Sequence, residues 1–438
     1  MMNKEESSLT AGKNGPVLLQ DVRLIDKLTR LVRERIPERI VFAKGTGAHG
    51  YFRTYMPMSD FTKAAFLQNP DRKTPVFVRF STMTGSKGSA DTLRDMRGFA
   101  VKFYTTEGNY DLLSISLPVF FIRDAIHFPD LMHALKPSHN TNITEPARFW
   151  KYISETPETL HAAMWLFSDR GTIKSYRHME GFGINTYDWI SADGQRQLVR
   201  YHWKPLQGVK SISRQEAEFL AGFDPDAAAR DLCDSLERGE LTEFELSVQM
   251  IPYEKKDQYS FDPLDATKLW PEKKVPLMKV GKLTLNKATE NYFEEVEKAA
   301  FSTANIVPGI DFSFDRLLQG SIFASLDAQR YRLGTDFEQI PINQSRYSIN
   351  PEISQQRFAA SIEVEGKKIE RCQESYGDDF SQAGESYRSM SPREQDCLVD
   401  NIIDHLMFVD DKIQKKVVSY FMKADNEFGA RTTRGLDF

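Results

Sequence analysis

Cysteine is scarce in this chain. Only Cys233, Cys372 and Cys397 occur among 438 residues. They are widely spaced and odd in number, which excludes a disulfide framework and a zinc-type cluster and fits a reducing compartment. Long apolar runs are also missing: no stretch approaches the roughly 18 apolar residues that a membrane span needs. The opening MMNKEESSLTAGKNGP is polar and lacks the apolar core of a secretion signal. An excess of charge of one sign is absent too. Lys and Arg total 57 against 62 Asp and Glu, for a net charge of −5, so the charge balance gives no reason to expect nucleic acid or an anionic membrane as partner. Internal repeats and low-complexity segments are likewise absent. The expectation is a cytoplasmic globular protein.

What the chain does have is phenylalanine, 30 residues of it, within 40% hydrophobic and 27% charged residues. That composition suits a large apolar interior. Apolar positions from 17 to 32 recur at helical spacing and predict a short amphipathic helix that ends before Pro37. TPVFVRFST (74–82) and GFAVKFYTT (98–106) are rich in β-branched and aromatic residues and predict strands. PVFFIRD (118–124) reads as a third strand or the entry to a loop. Residues 145–166 and 212–238 read as helices, and 244–252 as a strand. GINTYDWI and QRQLVRYHWKP flank Ala192-Asp193-Gly194, a hairpin signal. From about 255 to 355 little regular pattern is visible, and such a stretch usually wraps a surface or builds a site. Ser391-Pro392 starts a helix whose apolar stripe is Leu398, Ile402, Ile403, Leu406 and Met407. The pattern is α+β, with an antiparallel β core and a helical C-terminus.

Several long segments carry more than pattern. RERIPERIVFAKGTGAHGYF (33–52) and TPVFVRFSTMTGSKGSADTLRDMRGFAVKFYTTEGNYDLL (74–113) resemble haem catalases. So do PVFFIRDAIHFPD, WLFSDRG, YRHMEGFG, DPLDATKLWP, VGKLTLNKATENYFEEVEKAAFSTANIVPGID and RYRLGTDFEQIPIN, in the same order. The tail DDFSQAGESYRSMS resembles the helical end of small-subunit bacterial catalases. The resemblance covers about residues 9–436. It implies an N-terminal arm (1–45), an eight-stranded antiparallel β-barrel domain with a helical insertion (46–254), a wrapping segment containing the proximal helix (255–355) and a C-terminal helical domain (356–438). It also implies a homotetramer with interlaced arms.

Fold alone does not fix activity. The family's chemistry needs a distal base, a distal hydrogen-bond donor and an anionic tyrosine ligand to iron. The family's distal His lies in RVVHAKG; this chain has RIVFAKG and places Phe42 there. His49, seven residues on, stands where the family usually has Phe, and is expected to be a barrel or interface histidine. The distal Asn position holds Ile115, which cannot donate. The position of the axial tyrosine holds Ser325. Ser321 replaces the arginine one turn earlier, and Gln329 departs from the family's proximal helix as well. Tyr331 is six positions beyond Ser325 and is expected to face another way. Other pocket residues match the family: Val41, Ser81, Phe120 and Phe128. Arg39, Arg79 and Arg332 match the arginines that hold haem propionates. Buried guanidinium groups need anionic partners, so haem, another carboxylate ligand or Asp and Glu side chains are expected to meet them.

The resemblance extends to an accessory NADPH site, with matches at His161, Trp165, Ser168, Arg170, Lys204 and Trp270. Glu272 stands where a His is usual and would repel a phosphate, and Asn185 replaces another His. Three readings follow. In the first, the protein is a catalase-fold pseudoenzyme without haem b or another cofactor, with a binding or structural role. In the second, the scaffold is a repurposed enzyme whose arginines take a small anionic ligand or substrate, or the propionates of a weakly ligated haem. In the third, residual peroxide decomposition persists. No metal ligand set is expected.

Overall fold

Alternating apolar residues that face one side of a pleated strand must be covered, and closing a sheet on itself covers them without leaving an edge. The computed structural model describes residues 7–347 and 377–437, and that solution dominates it. Among the described residues, eight antiparallel strands form the barrel: β1 (Gly45–Thr54), β2 (Thr74–Thr82), β3 (Arg97–Thr105), β4 (Gly108–Ile115), β5 (Gly181–Ile190), β6 (Arg196–Pro205), β7 (Thr242–Pro252) and β8 (Met278–Ala288). β8 pairs with both β7 and β1, and β4 meets β5 through Ile115 and Phe182, which closes the circle. A short β9 (Ile310–Phe312) adds to β5. Phe52, Phe80, Phe99, Phe103, Trp203 and Phe244 fill the interior, each fully buried. The five-residue connection between β5 and β6 has Gly194 at φ +85°, as its turn chemistry predicts.

Helices cover the outside. The first, α1 (Val22–Arg33), starts at Asp21, whose side chain accepts from the Leu24 N–H. The insertion between β4 and β5 carries α2 (Phe128–Leu135), α3 (Pro146–Glu155) and α4 (Leu160–Phe167), while α5 (Arg214–Phe223) and α6 (Ala227–Glu237) join β6 to β7. An 18-residue helix, α7 (Arg316–Leu333), follows β9. The C-terminal part contains α8 (Ser381–Ser389), α9 (Pro392–Leu406), α10 (Asp411–Ala424) and α11 (Asn426–Gly435). Ser391 and Glu394 form a reciprocal capping box on α9. These helices pack on α3 and α4: the Asn401 amide donates to Phe167 O, and the Tyr420 hydroxyl donates to Ser154 O.

Three sequence expectations need correction, and one alternative is settled. The N-terminal helix begins at Val22 rather than at residue 17. Residues 118–124, read as a strand or the entry to a loop, are the latter; Leu117, Val119, Phe120, Phe121 and Ile122 are all buried in one apolar cluster, so there is no solvent-facing side for an alternating strand to present. The stretch 255–355 supplies β8, so the barrel extends past residue 254; its run KVGKLTLNKA is interrupted by lysines that pair with Glu243 and Glu245 of β7. In α9, Met407 lies just past the last turn and is 54% exposed. Cys372 and the start of the expected C-terminal domain lie outside the described residues. Among these, no helix is long and apolar enough to cross a membrane.

Candidate functional site

The outer wall of the barrel builds the first face of the site. On β2, Val76, Val78 and Phe80 point inward, which leaves Phe77, Arg79 and Ser81 facing out. Ser81 pairs with Gly98, and Gly98 with Ile115, across three adjacent strands. The aromatic ring of Phe42 lies over this row. A Cβ on Gly98 would stand 2.7 Å from the Ser81 hydroxyl and 2.9 Å from the Phe42 ring, so glycine is required there. Phe42 itself has φ +62°, a left-handed conformation that costs a non-glycine residue about 1–2 kcal/mol. Its N–H donates to Met83 O at 3.0 Å. Val41, Phe42, Ile115, Phe120 and Phe128 share one apolar cluster, with Phe120 and Phe128 stacked at 6.5 Å. This face therefore carries hydrocarbon, with Ser81 its polar exception.

Helix α7 builds the second face. Gly320 lets the helix approach Ala125, because a Cβ there would strike it. Ser325, Gln329 and Arg332 fall at helical spacing on one side and meet the segment 297–303. The Ser325 hydroxyl bonds Ser302 Oγ at 2.9 Å and Thr303 Oγ1 at 3.4 Å. The Gln329 amide donates to Phe301 O at 3.2 Å. Ser321 is turned back onto its own helix and donates to Leu317 O at 2.7 Å. Tyr331 is 77% exposed and faces away, as expected.

Charge lies between the two faces, and it is unevenly balanced. Glu297 ends a single π-helical turn, Tyr292–Glu297, and is 2% exposed. Arg332 Nη2 meets its Oε1 at 3.2 Å, Arg39 Nη1 lies 3.6 Å from the same oxygen, and Lys87 Nζ stands 3.4 Å from Oε2. Most of the other guanidinium hydrogen bonds go to main-chain carbonyls, and Arg332 Nη1 donates to Gln329 Oε1 at 3.2 Å. Arg39 donates to the carbonyls of Val296, Glu297 and Ala299, at the negative end of the turn. Arg79 donates to Phe42 O at 2.7 Å and Ala43 O at 3.0 Å, and Arg332 to Pro37 O at 3.1 Å. Burial pushes the Glu297 carboxyl up, but Arg39, Lys87, Arg332 and Arg79 outweigh it and hold it below the usual carboxylate range. Burial lowers Arg39 well below its ordinary value, and its neighbours Arg79 and Arg332 lower it further.

Of the expected anionic partners, a Glu side chain of the chain itself, Glu297, thus meets Arg39 and Arg332, while Arg79 is held by carbonyls. Glu297 was not singled out from the sequence, although the motif containing it was; nothing local distinguishes it from Glu294 or Glu295, and only the fold points it inward. Ser302 and Thr303 were missed for the same reason. His49 sits on the outer wall, bonded to Glu295 and tilted against Phe77 at 5.0 Å. It is a barrel histidine with an engaged ring nitrogen.

The haem implied by the resemblance can be tested against these residues. The arginines suit propionates. The two faces do not suit a ligated haem: Phe42 and Ile115 offer no proton and no donor, and the hydroxyl of Ser325 is engaged with Ser302 and Thr303. Among the described residues no group of three or more His, Cys, Asp or Glu could hold a metal ion.

The residues matched to the NADPH site separate. Trp165, Arg170 and Trp270 line a cavity of about 200 Å³ together with Glu180, Phe182, His202 and Glu272. His161, Ser168 and Lys204 do not line it. His161 is 2% exposed and bonded to Ser386 and Trp165, Ser168 caps the turn at Asp169–Gly171, and Lys204 is exposed on β6. Asn185 is buried on β5.

Comparison with known proteins agrees with this architecture. The family model described as "Catalase" matches residues 1–376, and the one described as "Catalase-related immune-responsive" matches 373–436. Catalase-2 of Bacillus subtilis is 44% identical over 473 residues, covering 99% of this chain and 69% of the relative. The catalase of Methanosarcina barkeri is 44% identical over 464 residues, covering 99% and 92%. Catalase-A of Dictyostelium discoideum is 42% identical over 468 residues, covering 98% and 93%. A closed eight-stranded barrel with these helices, and a match across almost the whole length, mean that this chain belongs to the catalase family.

Proposed function

We propose that this member of the catalase family no longer dismutates hydrogen peroxide efficiently, carries no haem, and uses its pocket for binding. The observation that carries this reading is the engaged Ser325 hydroxyl on the α7 face. An aliphatic hydroxyl does not ionise near neutrality as an iron-ligating phenol does when tuned. Opposite it, Phe42 cannot move a proton between peroxide oxygens, and Ile115 cannot orient one. Phe42 and Ile115 support one another, since both make a polar reactive cleft apolar.

Two other readings have their own support. The 42–44% identity to proteins named catalase favours retained peroxide decomposition. The surplus of cationic groups around Glu297 favours a repurposed site for a carboxylate-bearing substrate, where bidentate guanidinium contacts give both energy and orientation. Self-association is part of the proposal as well. Helix α1 buries none of its residues in its own subunit, and Val22, Ile25, Leu28, Leu31 and Val32 are 48–73% exposed; an apolar stripe of that length is normally covered.

The deciding experiment is the absorption spectrum of protein produced with ample haem, together with oxygen release from hydrogen peroxide. The expected outcome is no stoichiometric Soret band and no release above the background of free haem. A full-occupancy band with turnover like that of ordinary catalases would overturn the reading. A small carboxylate bound in the pocket, with neither a band nor oxygen release, would favour the repurposed enzyme.

A further inference from the structure

The cavity beside Trp165 and Trp270 has the makings of an anion site, but a carboxylate of the chain already fills it. Trp165, Phe182 and Trp270 offer aromatic faces, and Arg170 and His202 offer N–H donors. Arg170 lies over the rings of Trp165 and Phe182 at 5.3 and 5.5 Å, and His202 stacks on Phe182 at 4.4 Å with 17° between planes. Such a combination of stacking surfaces and a guanidinium suits a base and a phosphate. Glu180 stands between the two donors. Its Oε1 meets His202 Nε2 at 3.0 Å, and its Oε2 meets Arg170 Nη1. It is 8% exposed.

We propose that Glu180 is a specificity-determining residue, filling the Arg170–His202 pair from within and so excluding nucleotide phosphates, NADPH included, from this cavity. An incoming phosphate would have to displace a buried carboxylate or sit beside it, and like charges repel strongly where water is scarce. Burial raises the Glu180 carboxyl, but His202 and Arg170 bring it down to about 2. It therefore stays ionised at any pH where the protein works. Glu272, at the exposed rim, adds a second negative charge. His161 offers no replacement donor, since Ser386 of α8 and Trp165 hold its Nε2 at 2.8 and 3.1 Å. This inference rests on residues other than those of the pocket around Glu297, so it stands or falls independently.

The test titrates NADPH into the intact wild-type protein, Glu180→Gln and Glu180→Asn, read by calorimetry and by tryptophan fluorescence. NADH serves as the probe that lacks the extra phosphate. Wild type is expected to show no saturable binding up to about 1 mM NADPH. A folded Glu180 variant is expected to gain affinity by about tenfold or more, with NADPH preferred over NADH. Glu272→Gln, at the rim, is expected to gain less than the Glu180 variants. Circular dichroism establishes which variants fold, and the asparagine variant serves if the longer glutamine does not pack. The proposal is overturned if wild type binds NADPH as tightly as the variants. It is equally overturned if a folded Glu180 variant gains nothing, or if Glu272→Gln alone gains as much.

Discussion

The floor and the faces of the main pocket are built on opposite principles. The floor holds Arg39, Arg79 and Arg332 around Glu297, with every guanidinium donating to main-chain carbonyls as well. The faces hold Phe42, Ile115 and Ser325, which bring hydrocarbon and one engaged hydroxyl. The floor is tied into structure: Arg39 caps a π-helical turn, Arg79 fixes the backbone at Phe42, and Arg332 ties α7 to the arm at Pro37. Changing any of these leaves a buried charge or orphaned carbonyls. The face residues make few such ties, so exchanging them leaves the fold standing.

The largest expected effect breaks the floor. Glu297→Gln removes the one carboxylate shared by Arg39, Arg332 and Lys87 and should destabilise the protein by about 3–5 kcal/mol in urea unfolding. A change below about 1 kcal/mol would mean that the carbonyls alone satisfy the arginines and that the floor is no more structural than the faces.

A pH series separates the floor from the junction of the C-terminal helices with α3 and α4, where His161 of α4 meets Ser386 of α8 and His405 of α9 accepts from Trp150 of α3. Burial brings His161 down to about 3 and His405 down to about 4 from their ordinary 6.5. The unfolded chain therefore binds more protons than the folded one between those values, so their contribution is full above pH 6.5 and is lost as pH falls toward 4. Glu297 is held below the usual carboxylate range, so its contribution is present above about pH 4.3 and fades only below that. The melting temperature should start to fall well before the Glu297 cluster is touched. A single loss confined to pH below 4 would show that neither buried histidine is kept neutral.

The smallest effect concerns a face. Ser302→Ala removes one hydroxyl partner of Ser325 and leaves Thr303 and the Ile322 carbonyl, at a cost of about 1 kcal/mol. A loss as large as that of Glu297→Gln would make the hydroxyl group as structural as the floor and would end the contrast.

How much of this was legible in the sequence differs by element. β2 and β3 were readable because both are dense in β-branched and aromatic residues. The hairpin at Gly194 was readable because its turn residues allow few conformations. β8 was not, because its lysines pair with Glu243 and Glu245 on the neighbouring strand rather than marking a loop. Residues 118–124 stayed open between strand and loop entry because a continuous apolar run is compatible with strand or buried coil alike. In the site, Phe42, Ile115 and Ser325 were identified by flanking motifs. The partner of the arginines was not, since Glu294, Glu295 and Glu297 look alike until a π-helical turn aims only the last of them at Arg39.

The sequence by itself determined the catalase fold, because that is carried by local motifs; the assignment of Phe42, Ile115 and Ser325 to its reactive positions is what the resemblance of those motifs implies. Only the tertiary structure decided which charges meet. Arg39, Arg332 and Lys87 converge on Glu297, and Arg170 and His202 on Glu180, across separations of up to 258 residues. Electrostatic pairing depends on distance and burial in space, and spacing along the chain does not report either.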